Sequence, residues 1–278
     1  MAIELAPASR PTVEEREFVK KQTGIDDDER LREHVLNVQS EAFAVHPYPC
    51  IRRFAFLRMK FNSKVAGYNQ LLKLGRARPD AILLDIGCCF GNDVRKAVAD
   101  GFRVENVVAT DIHPEFWDFG HKLFSTTPKT FPARFIAGDA FDPAHLECVP
   151  PFTTDSARTP RPDLPTLTSL NPLRGHVAAI HISAVFHLFG EEEQPGSMIF
   201  GLQSGRAEKG FRVEAGVANS HGRQMFCHCR RAGGSSGRAC SPGRGPGRRA
   251  RVGAGEERLA TVSDGAKFWV LEWCVTRV

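Results

Sequence analysis

Three aspartates in this sequence each follow a short apolar run, at positions where a carboxylate could hold a polar ligand. The first, Asp85, precedes Gly87 and Gly91 in the stretch LLDIGCCFG. Gly87 permits a tight turn, Gly91 permits close approach of the backbone to a ligand, and the helix expected next offers free N–H groups. A carboxylate just before the first glycine suits a ligand with a cationic amine better than it suits a phosphate. The same stretch could also be a turn that holds no ligand.

The second and third aspartates continue the pattern. Asp111 ends the run VVATD, 26 residues after Asp85, where a carboxylate can accept hydrogen bonds from both hydroxyl groups of a ribose. It could also cap the helix expected from Pro114, and the two roles are compatible. Asp139 lies in AGDAF, where it can accept a hydrogen bond from the amino group of adenine while Phe141 packs on the ring.

In this order, the motifs LLDIGCCFG, ATDI and AGDAF resemble those of the class I S-adenosylmethionine (SAM)-dependent methyltransferases. More narrowly, HPYPCIRRFAFL followed by LLDIGCCFGNDVRKAVADG is similar to fungal secondary-metabolite O-methyltransferases of the meroterpenoid type. The resemblance implies SAM as cofactor and methyl transfer to a carboxylate or hydroxyl oxygen of a small molecule. It implies contacts to methionine by Asp85, Gly87 and Gly91 (with Cys89 in the same loop), to ribose by Asp111 and Ile112, and to adenine by Asp139, Ala140 and Phe141.

Candidates on the substrate side are fewer. His187, in HISAVFHLF, is a candidate general base for a hydroxyl acceptor, whereas a carboxylate acceptor needs none because it is ionised at neutral pH. His181 is a candidate substrate contact, but both histidines could equally be packing residues. Tyr48, Arg52 and Arg53 follow an N-terminal helix and are candidates for a lid over the cofactor, where an arginine could pair with an acidic substrate. They could equally be solvated surface residues.

The elements that must position these residues alternate between strand and helix. Apolar runs predict strands at residues 81–85, 104–110, 133–137 and 177–182, with a fifth candidate at 197–200. Helical patterns fall at residues 92–100 and 114–124 between the strands, and at 26–43 and 61–74 before them. This order predicts an α/β, Rossmann-like, mostly parallel sheet flanked by helices.

The domain organisation follows from these elements. We predict a helical extension or lid at residues 1–75, of which residues 1–25 are loosely ordered, and a SAM-binding domain at 76–226. An irregular Arg/Gly-rich segment at 227–265 and a C-terminal strand at 266–278 follow. The long connection at residues 143–172 is expected near the carboxyl ends of the strands, where ligands bind in open α/β sheets.

Two segments depart from this pattern. Residues 188–195 alone separate the fourth strand from the next apolar run, whereas a parallel crossover needs about a dozen residues. Either the crossover helix is absent or these two strands are not neighbours. Residues 227–265 have the composition of G+C-rich DNA translated in a shifted frame, so we interpret them as disordered or frameshifted. A sequenced transcript that encodes the chain without interruption would contradict that hypothesis.

Composition narrows the class of protein. The chain has 278 residues, of which 42% are hydrophobic, as in ordinary globular proteins. The net charge is +5, but the segment from Cys227 to Arg258 alone carries +6, from eight arginines and two glutamates, which leaves −1 for the rest. We therefore expect a small-molecule partner and no nucleic acid. No apolar run approaches the length of a membrane span, and the N-terminal residues lack the apolar core of a secretory signal. We therefore predict a cytoplasmic protein.

The cysteines and the missing motifs bear on a metal site and on alternative functions. The eight cysteines are expected to be reduced, and no metal site is expected because Cys227, Cys229 and Cys240 lack a C-x₂-C spacing. A nicotinamide-dependent reductase is disfavoured, since G-x-G-x-x-G and Tyr-x-x-x-Lys are both missing. A catalytically impaired SAM-binding or interaction protein stays open because of the two departures. The oligomeric state is also open.

Overall fold

A computed structural model describes residues 11–59, 66–149 and 159–185, and it places six further strands between Phe200 and Arg277. The helices of the first three ranges are α1 (Val13–Thr23), α2 (Asp28–Val45), α3 (Pro49–Arg52), α4 (Ala66–Ala77), α5 (Asn92–Ala99) and α6 (Pro114–Leu123). Among the described residues, no helix combines the length and the apolar character that crossing a membrane requires.

The centre of the fold is a four-stranded sheet whose strands all run parallel. Its strands are β1 (Ile82–Ile86), β2 (Val107–Asp111), β3 (Arg134–Ala137) and β4 (Val177–Ile182). They lie in the order β3-β2-β1-β4, with α5 between β1 and β2 in sequence and α6 between β2 and β3. The predicted Rossmann-like α/β fold is thereby confirmed. Because the strand order reverses between β1 and β4, a ligand is expected outside the carboxyl ends of these strands.

Each face of this sheet is covered by different elements. Since successive side chains of a strand point to opposite faces, neighbouring residues of β1 enter different clusters. Leu83 packs in the cluster that contains Tyr68 of α4 and Val94 of α5. Leu84 packs in the opposite cluster, against leucines that recur every three residues along one segment. They are Leu164, Leu167, Leu170 and Leu173.

This leucine segment corrects the expected place of the long connection at residues 143–172. The sequence predicts it beside the carboxyl ends of the strands, whereas its residues 159–172 cover one face of the sheet. Short 3₁₀ turns at Leu164–Thr166 and Asn171–Leu173, with a leucine every third residue, bring the leucines to one side of the segment. Near the start of the connection, His145 does lie at a strand end, because its Nε2 atom is 3.0 Å from the Oγ1 atom of Thr110 in β2.

Helix α1 corrects the expectation that residues 1–25 are loosely ordered. Thr12 and Glu15 form a capping box, in which each side chain accepts a hydrogen bond from the backbone N–H of the other residue. Gly24 ends the helix in the left-handed conformation. The buried ring of Phe18 lies 6.1 Å from that of Phe124, measured between ring centroids. The capping residues and this contact explain a helix in a segment whose composition alone predicts little order.

The N-terminal extension is joined to the loop after β1 and to the start of α5. The buried Glu15 carboxylate accepts a hydrogen bond from Arg58 Nε at 3.1 Å. The Arg58 carbonyl in turn accepts one from Asn92 Nδ2 at 2.8 Å. The rings of Phe56 and Phe90 stack with their centroids 4.6 Å apart. The extension therefore shares one hydrophobic core with this loop and with α6.

Most other elements begin and end close to the predicted residues. Helix α2 begins two residues after the start of the predicted helix at 26–43, and the Asp27 side chain caps it by accepting a hydrogen bond from Arg30 N at 2.9 Å. Helix α4 corresponds to the predicted helix at 61–74, of which residues 61–65 lie outside the described residues. Strand β2 begins later than predicted because Val104–Asn106 form a 3₁₀ turn.

The strands near the C-terminus form a second sheet. They are β5 (Phe200–Arg206), β6 (Gly210–Val213), β7 (Gln224–Cys229), β8 (Arg248–Arg251), β9 (Ala254–Gly255) and β10 (Trp269–Arg277). Strand β10 agrees with the predicted C-terminal strand. In the described pairings β5 joins β7 and β10, while β4 joins β1. The fourth and fifth strands are therefore not neighbours in one sheet, which is one of the two alternatives that the short connection leaves.

The predicted fifth strand at 197–200 overlaps β5 at Phe200, and residues 197–199 lie outside the described part of the chain. Within residues 227–265 the described residues lie in β7, β8 and β9. The irregular character predicted for residues 227–265 and the frameshift hypothesis both stay predictions.

Candidate functional site

The loop between β1 and α5 turns sharply, with three residues in the left-handed region. The φ angle is 72° at Gly87, 52° at Cys89 and 68° at Gly91. The N–H groups of Gly87 and Cys88 both donate to the Thr110 carbonyl, at 2.9 and 3.1 Å. The loop that the sequence predicts to hold a ligand is therefore fixed to the end of β2 by its own backbone.

The two glycines of this loop are required by space as well as by φ. A Cβ atom on Gly91 would lie 2.6 Å from the Trp117 ring, and one on Gly87 would overlap the side chain of Val185. The sequence predicts that a ligand approaches the backbone closely at Gly91. In the structure the Trp117 side chain of α6 makes that close approach.

Burial raises the pKa of the Cys88 thiol well above its ordinary value, so this thiol is neutral at physiological pH.

Asp85 lies at the carboxyl end of β1 and is only 2% exposed. Its Oδ1 atom is 2.7 Å from Nδ1 of His181, the residue paired with it in β4. The Nε2 atom of His181 is 2.6 Å from Ser183 Oγ. His181, a candidate substrate contact from the sequence, is therefore hydrogen-bonded through both ring nitrogens inside the protein. Three buried polar side chains form one hydrogen-bonded chain beside the loop.

Asp111, at the end of β2, has one backbone donor on each carboxylate oxygen. Its Oδ2 atom accepts a hydrogen bond from Cys89 N at 2.8 Å, and its Oδ1 atom accepts one from His113 N at 3.1 Å. Burial raises the pKa of the Asp111 carboxyl, and these two N–H donors oppose the rise. His113 is itself the N-cap residue of α6, so the alternative role of Asp111 as the helix cap does not apply.

Two apolar side chains beside these carboxylates are exposed. Ile112 is 56% exposed and Phe141 is 43% exposed, and they are two of the five exposed large apolar side chains in the described residues. Asp139 Oδ1 accepts a hydrogen bond from Phe141 N at 2.9 Å. Gly138 N donates to the Asp111 carbonyl at 3.1 Å, so the third loop is tied to the second.

His145 holds the third loop in place, a role that the sequence does not indicate. Its ring fills the space that a Cβ atom on Gly138 would occupy. Its Nε2 atom contacts Thr110 Oγ1, and its carbonyl accepts a hydrogen bond from Leu170 N at 2.9 Å. Burial lowers the pKa of the His145 imidazole, so the ring is neutral at physiological pH.

Tyr48 joins the N-terminal helices to the end of β2. Its Oη atom lies 2.8 Å from Nε2 of His113, which follows Asp111 by two residues. The rings of His46 and His113 have centroids 3.7 Å apart. Of the predicted lid residues, Tyr48 is therefore beside the second acidic loop, whereas Arg52 is exposed at the end of α3.

One group of side chains near Tyr48 offers ligands of the kind that metal ions prefer. Candidate ligand atoms of His46, His113 and Glu115 lie within 4.8 Å of one another. His46 Nε2 lies 3.6 Å from Glu115 Oε2, and Tyr48 Oη lies 2.8 Å from His113 Nε2. The expectation that the chain has no metal site stays a prediction.

The parallel sheet brings the predicted cofactor residues to one edge. They are Asp85, Gly87, Cys89, Gly91, Asp111, Ile112, Asp139, Ala140 and Phe141. His187, the predicted general base, lies outside the described residues. Ser183, His113 and His145 contact candidate site residues or the strand ends beside them, and the sequence does not predict these contacts. The signal for Ser183 is its distance of two residues from His181, which places both on one side of an extended strand.

The fold is Rossmann-like, and the three acidic loops lie together at the carboxyl ends of its strands. Residues 5–57 match the family model of the meroterpenoid methyltransferase N-terminal domain. The chain is 32% identical over 200 residues to the asnovolin E/chermesin D methyltransferase nvfJ of Aspergillus novofumigatus, covering 67% of this chain and 62% of that protein. It is 28% identical over 191 residues to the O-methyltransferase atr3 of Stereocaulon alpinum, covering 64% of this chain and 48% of that protein.

A solved structure with distant similarity is that of SAM-bound CalS10, an amino pentose methyltransferase from Micromonospora echinaspora. The TM-score is 0.32 at 14% identity, covering 76% of this chain and 92% of that one. The sequence relatives confirm the resemblance to fungal secondary-metabolite methyltransferases that the motifs predict. The chain spans 48% of the length of atr3 and 62% of the length of nvfJ.

Proposed function

We propose that this chain binds SAM at the carboxyl ends of β1, β2 and β3 and transfers its methyl group to an oxygen of a small secondary metabolite. The observation that carries the proposal is that hydrogen bonds tie the three acidic loops to one another. Cys89 N donates to the Asp111 carboxylate, and Gly138 N donates to the Asp111 carbonyl. Asp111 therefore lies at the centre of a continuous edge that carries Asp85 on one side and Asp139 on the other.

The geometry of Asp111 suits a ribose. Each of its carboxylate oxygens accepts one backbone N–H, and each has a further lone pair. Two neighbouring hydroxyl groups can therefore each donate to a different oxygen. Because the backbone donors fix the carboxylate in one orientation, little side-chain entropy is lost when the ribose binds.

The exposed apolar side chains suit the adenine ring. Ile112 and Phe141 leave apolar surface in water, and a flat ring that covers them removes that surface at about 25 cal/mol per Å². Asp139 is exposed in the same loop and can accept a hydrogen bond from the adenine amino group. Ala140 leaves room between Asp139 and Phe141. The remaining candidates, Asp85 and its glycine loop with Cys89, are proposed to hold the methionine end.

SAM supplies an electrophilic methyl group, which the acceptor oxygen displaces in line. The contribution of the chain is mainly to orient the two reactants and to exclude water from them. Tyr48 and Arg52 are proposed on the acceptor side, where an arginine can pair with an acidic acceptor. A carboxylate acceptor needs no base, whereas a hydroxyl acceptor does, and His187 is the candidate for that role.

Calorimetric titration with S-adenosylhomocysteine (SAH) tests the cofactor half of the proposal. The wild-type chain should bind SAH with a dissociation constant on the order of micromolar, and Asp111→Ala should weaken binding by about 30-fold or more, because two hydrogen bonds to a charged group are lost. Asp118→Ala is the matched control, since Asp118 is an exposed acid of α6. A folded wild-type chain that binds no SAH would remove the proposal.

The transfer half is tested with radiolabelled SAM and two acceptor sets, carboxylic acids and phenols. Labelling of the acids alone identifies a carboxyl methyltransferase, and labelling of the phenols that is lost in His187→Ala identifies a hydroxyl acceptor with His187 as base. Labelling of both sets with no effect of His187→Ala would remove the role of His187.

A second candidate function is SAM binding without transfer. Two features of the sequence favour it: only residues 188–195 separate the fourth strand from the next apolar run, and residues 227–265 have the composition of DNA translated in a shifted frame. Tight SAH binding together with no labelling of any acceptor, under conditions where nvfJ labels its own, would favour this candidate over the first.

The proposal includes a small-molecule acceptor as the partner and a cytoplasmic location. Cell fractionation tests the location, and a gel-shift assay with random-sequence RNA and DNA tests the expectation that no nucleic acid binds. Shifts in about 150 mM salt at micromolar protein would contradict that expectation.

A further inference from the structure

The segment that leaves β4 contacts the loop after β1 at two points. The side chain of His181 bonds Asp85, and the side chain of Val185 fills the space beside Gly87. Between them, Ala184 adopts a left-handed conformation with φ of 57°, which favours glycine over alanine. Ala184 is therefore strained at the point where the chain leaves β4. The contacts of His181 and Val185 on either side of it fix the shape of the turn around Asp85.

The polar half of this contact is the chain Asp85–His181–Ser183. All three side chains are buried, and the two hydrogen bonds are short, at 2.7 and 2.6 Å. An ionised carboxylate can only accept, so Nδ1 of His181 carries a proton and donates it to Asp85. The other ring nitrogen, Nε2, shares a hydrogen bond with the Ser183 hydroxyl. Ser183 therefore fixes the orientation of the His181 ring, and His181 fixes the orientation of Asp85.

The Asp85 carboxylate is buried, and His181 satisfies its Oδ1 atom. Carboxylates that are removed from water are normally paired with a cation, because the loss of hydration is costly. The ammonium group at the amino-acid end of SAM is a cation that this carboxylate can accept.

We propose that His181 and Ser183 are positioning residues that hold the Asp85 carboxylate for the α-ammonium group of the cofactor. The inference rests on the proposed function, since it concerns the methionine end of the same site. If so, His181 and Ser183 strengthen the binding of ligands that have an amino-acid end. They leave the binding of the adenosine end unchanged.

Two ligands separate these effects. SAH has the amino-acid end, whereas 5′-methylthioadenosine has the same adenosine and sulfur but lacks it. Both are titrated calorimetrically into the full chain and its variants. We expect His181→Phe to weaken SAH binding about tenfold or more and 5′-methylthioadenosine binding by less than about twofold, because one charge-assisted hydrogen bond is lost. Ser183→Ala should weaken SAH binding by about three- to fivefold, and Ser183→Thr, which keeps the hydroxyl, should restore it.

Phe141→Ala is the matched control, because Phe141 lies at the adenine end. It should weaken both ligands by the same factor. Thermal melting checks that each variant is folded, and the Ser183 pair decides the question where His181→Phe does not fold.

The outcomes distinguish this inference from the proposed function. Equal loss of both ligands in the His181 and Ser183 variants, or no loss of either, overturns the inference and leaves SAM binding intact. A wild-type chain that binds neither ligand overturns the proposed function and this inference with it. Selective loss of SAH, with recovery in Ser183→Thr, establishes both residues as positioning residues.

Discussion

The two ends of the proposed SAM site are built in opposite ways. Beside β1 and β4, the polar side chains of Asp85, His181 and Ser183 are buried and hydrogen-bonded to one another. Beside β2 and β3, the apolar side chains of Ile112 and Phe141 are exposed. The first end is assembled before a ligand arrives, whereas the second gains buried apolar area only when one binds. Substitutions at the first end should therefore affect the stability of the folded protein, whereas substitutions of the exposed apolar residues at the second should affect affinity alone.

The largest effect on this comparison is expected from Gly87→Ala at the assembled end. The new Cβ atom would overlap the side chain of Val185, and φ at Gly87 is 72°. Strain and overlap together should lower the free energy of unfolding by about 2–4 kcal/mol. Gly24→Ala is the matched control, since φ is 71° there and nothing lies within 4 Å of a Cβ atom, so only about 1 kcal/mol should be lost.

Urea unfolding of both variants measures the difference. Equal losses at the two glycines would show that the contact with Val185 adds nothing to the conformational strain. Adding Val185→Ala to Gly87→Ala should recover the difference between the two single variants.

The second effect concerns the exposed end. Ile112→Ala should weaken SAH binding by about five- to tenfold, because less apolar surface is removed from water on binding. The melting temperature of the free protein should change by no more than about 1 °C, since the side chain is exposed. Val13→Ala, which truncates another exposed apolar residue on α1, should change neither quantity. A melting temperature that falls as far as in a core variant would contradict the division between the two ends.

The smallest effect is a pH dependence from His145, which packs against Gly138 in the loop after β3. Burial lowers the pKa of its imidazole below the ordinary value of 6.5, so the unfolded chain takes up this proton more readily than the folded one. The contribution of neutral His145 to the free energy of unfolding is therefore fully present above about pH 6.5. It is lost as the pH drops toward the pKa of His145 in the folded protein. Between about pH 7 and pH 5, the wild-type melting temperature should fall by about 2–4 °C more than that of His145→Gln.

His121 is the matched control for this measurement. Burial and the nearby Arg95 lower the pKa of its imidazole as well, but the ring lies on α6 away from the loop after β3. His121→Gln should reduce the pH slope without changing SAH affinity, whereas His145→Gln should change both. Equal effects of the two variants on SAH affinity would remove the special role of His145.

The acidic loops and the parallel strands were predictable because each signal is local. Strands β1 and β2 are runs of five residues with strong apolar character, and Asp85 and Asp111 lie within or directly after those runs. The carboxyl ends of parallel strands lie at the same edge of a sheet. Acidic residues at several strand ends are therefore expected to lie close together.

The contacts of these residues were not predictable, since they join distant parts of the chain. His181 meets Asp85 across 96 residues of sequence, and no spacing rule links them. Residues 164–173 have leucines at every third position, a period that matches neither an α-helix nor a strand, so a spacing search for those elements passes over them. Helix α1 was missed for a local reason: the capping pair Thr12 and Glu15 was outweighed by the polar composition around it.

The hydrogen bond from Asn92 Nδ2 to the Arg58 carbonyl bears on the design of chimeric proteins. The N-terminal extension contributes Phe56 to the stacking on Phe90 and a carbonyl to the first residue of α5. A chimera that joins the extension of one relative to the catalytic part of another would cut through a single core. Such exchanges should therefore carry both sides of that core together, with the crossover placed outside it.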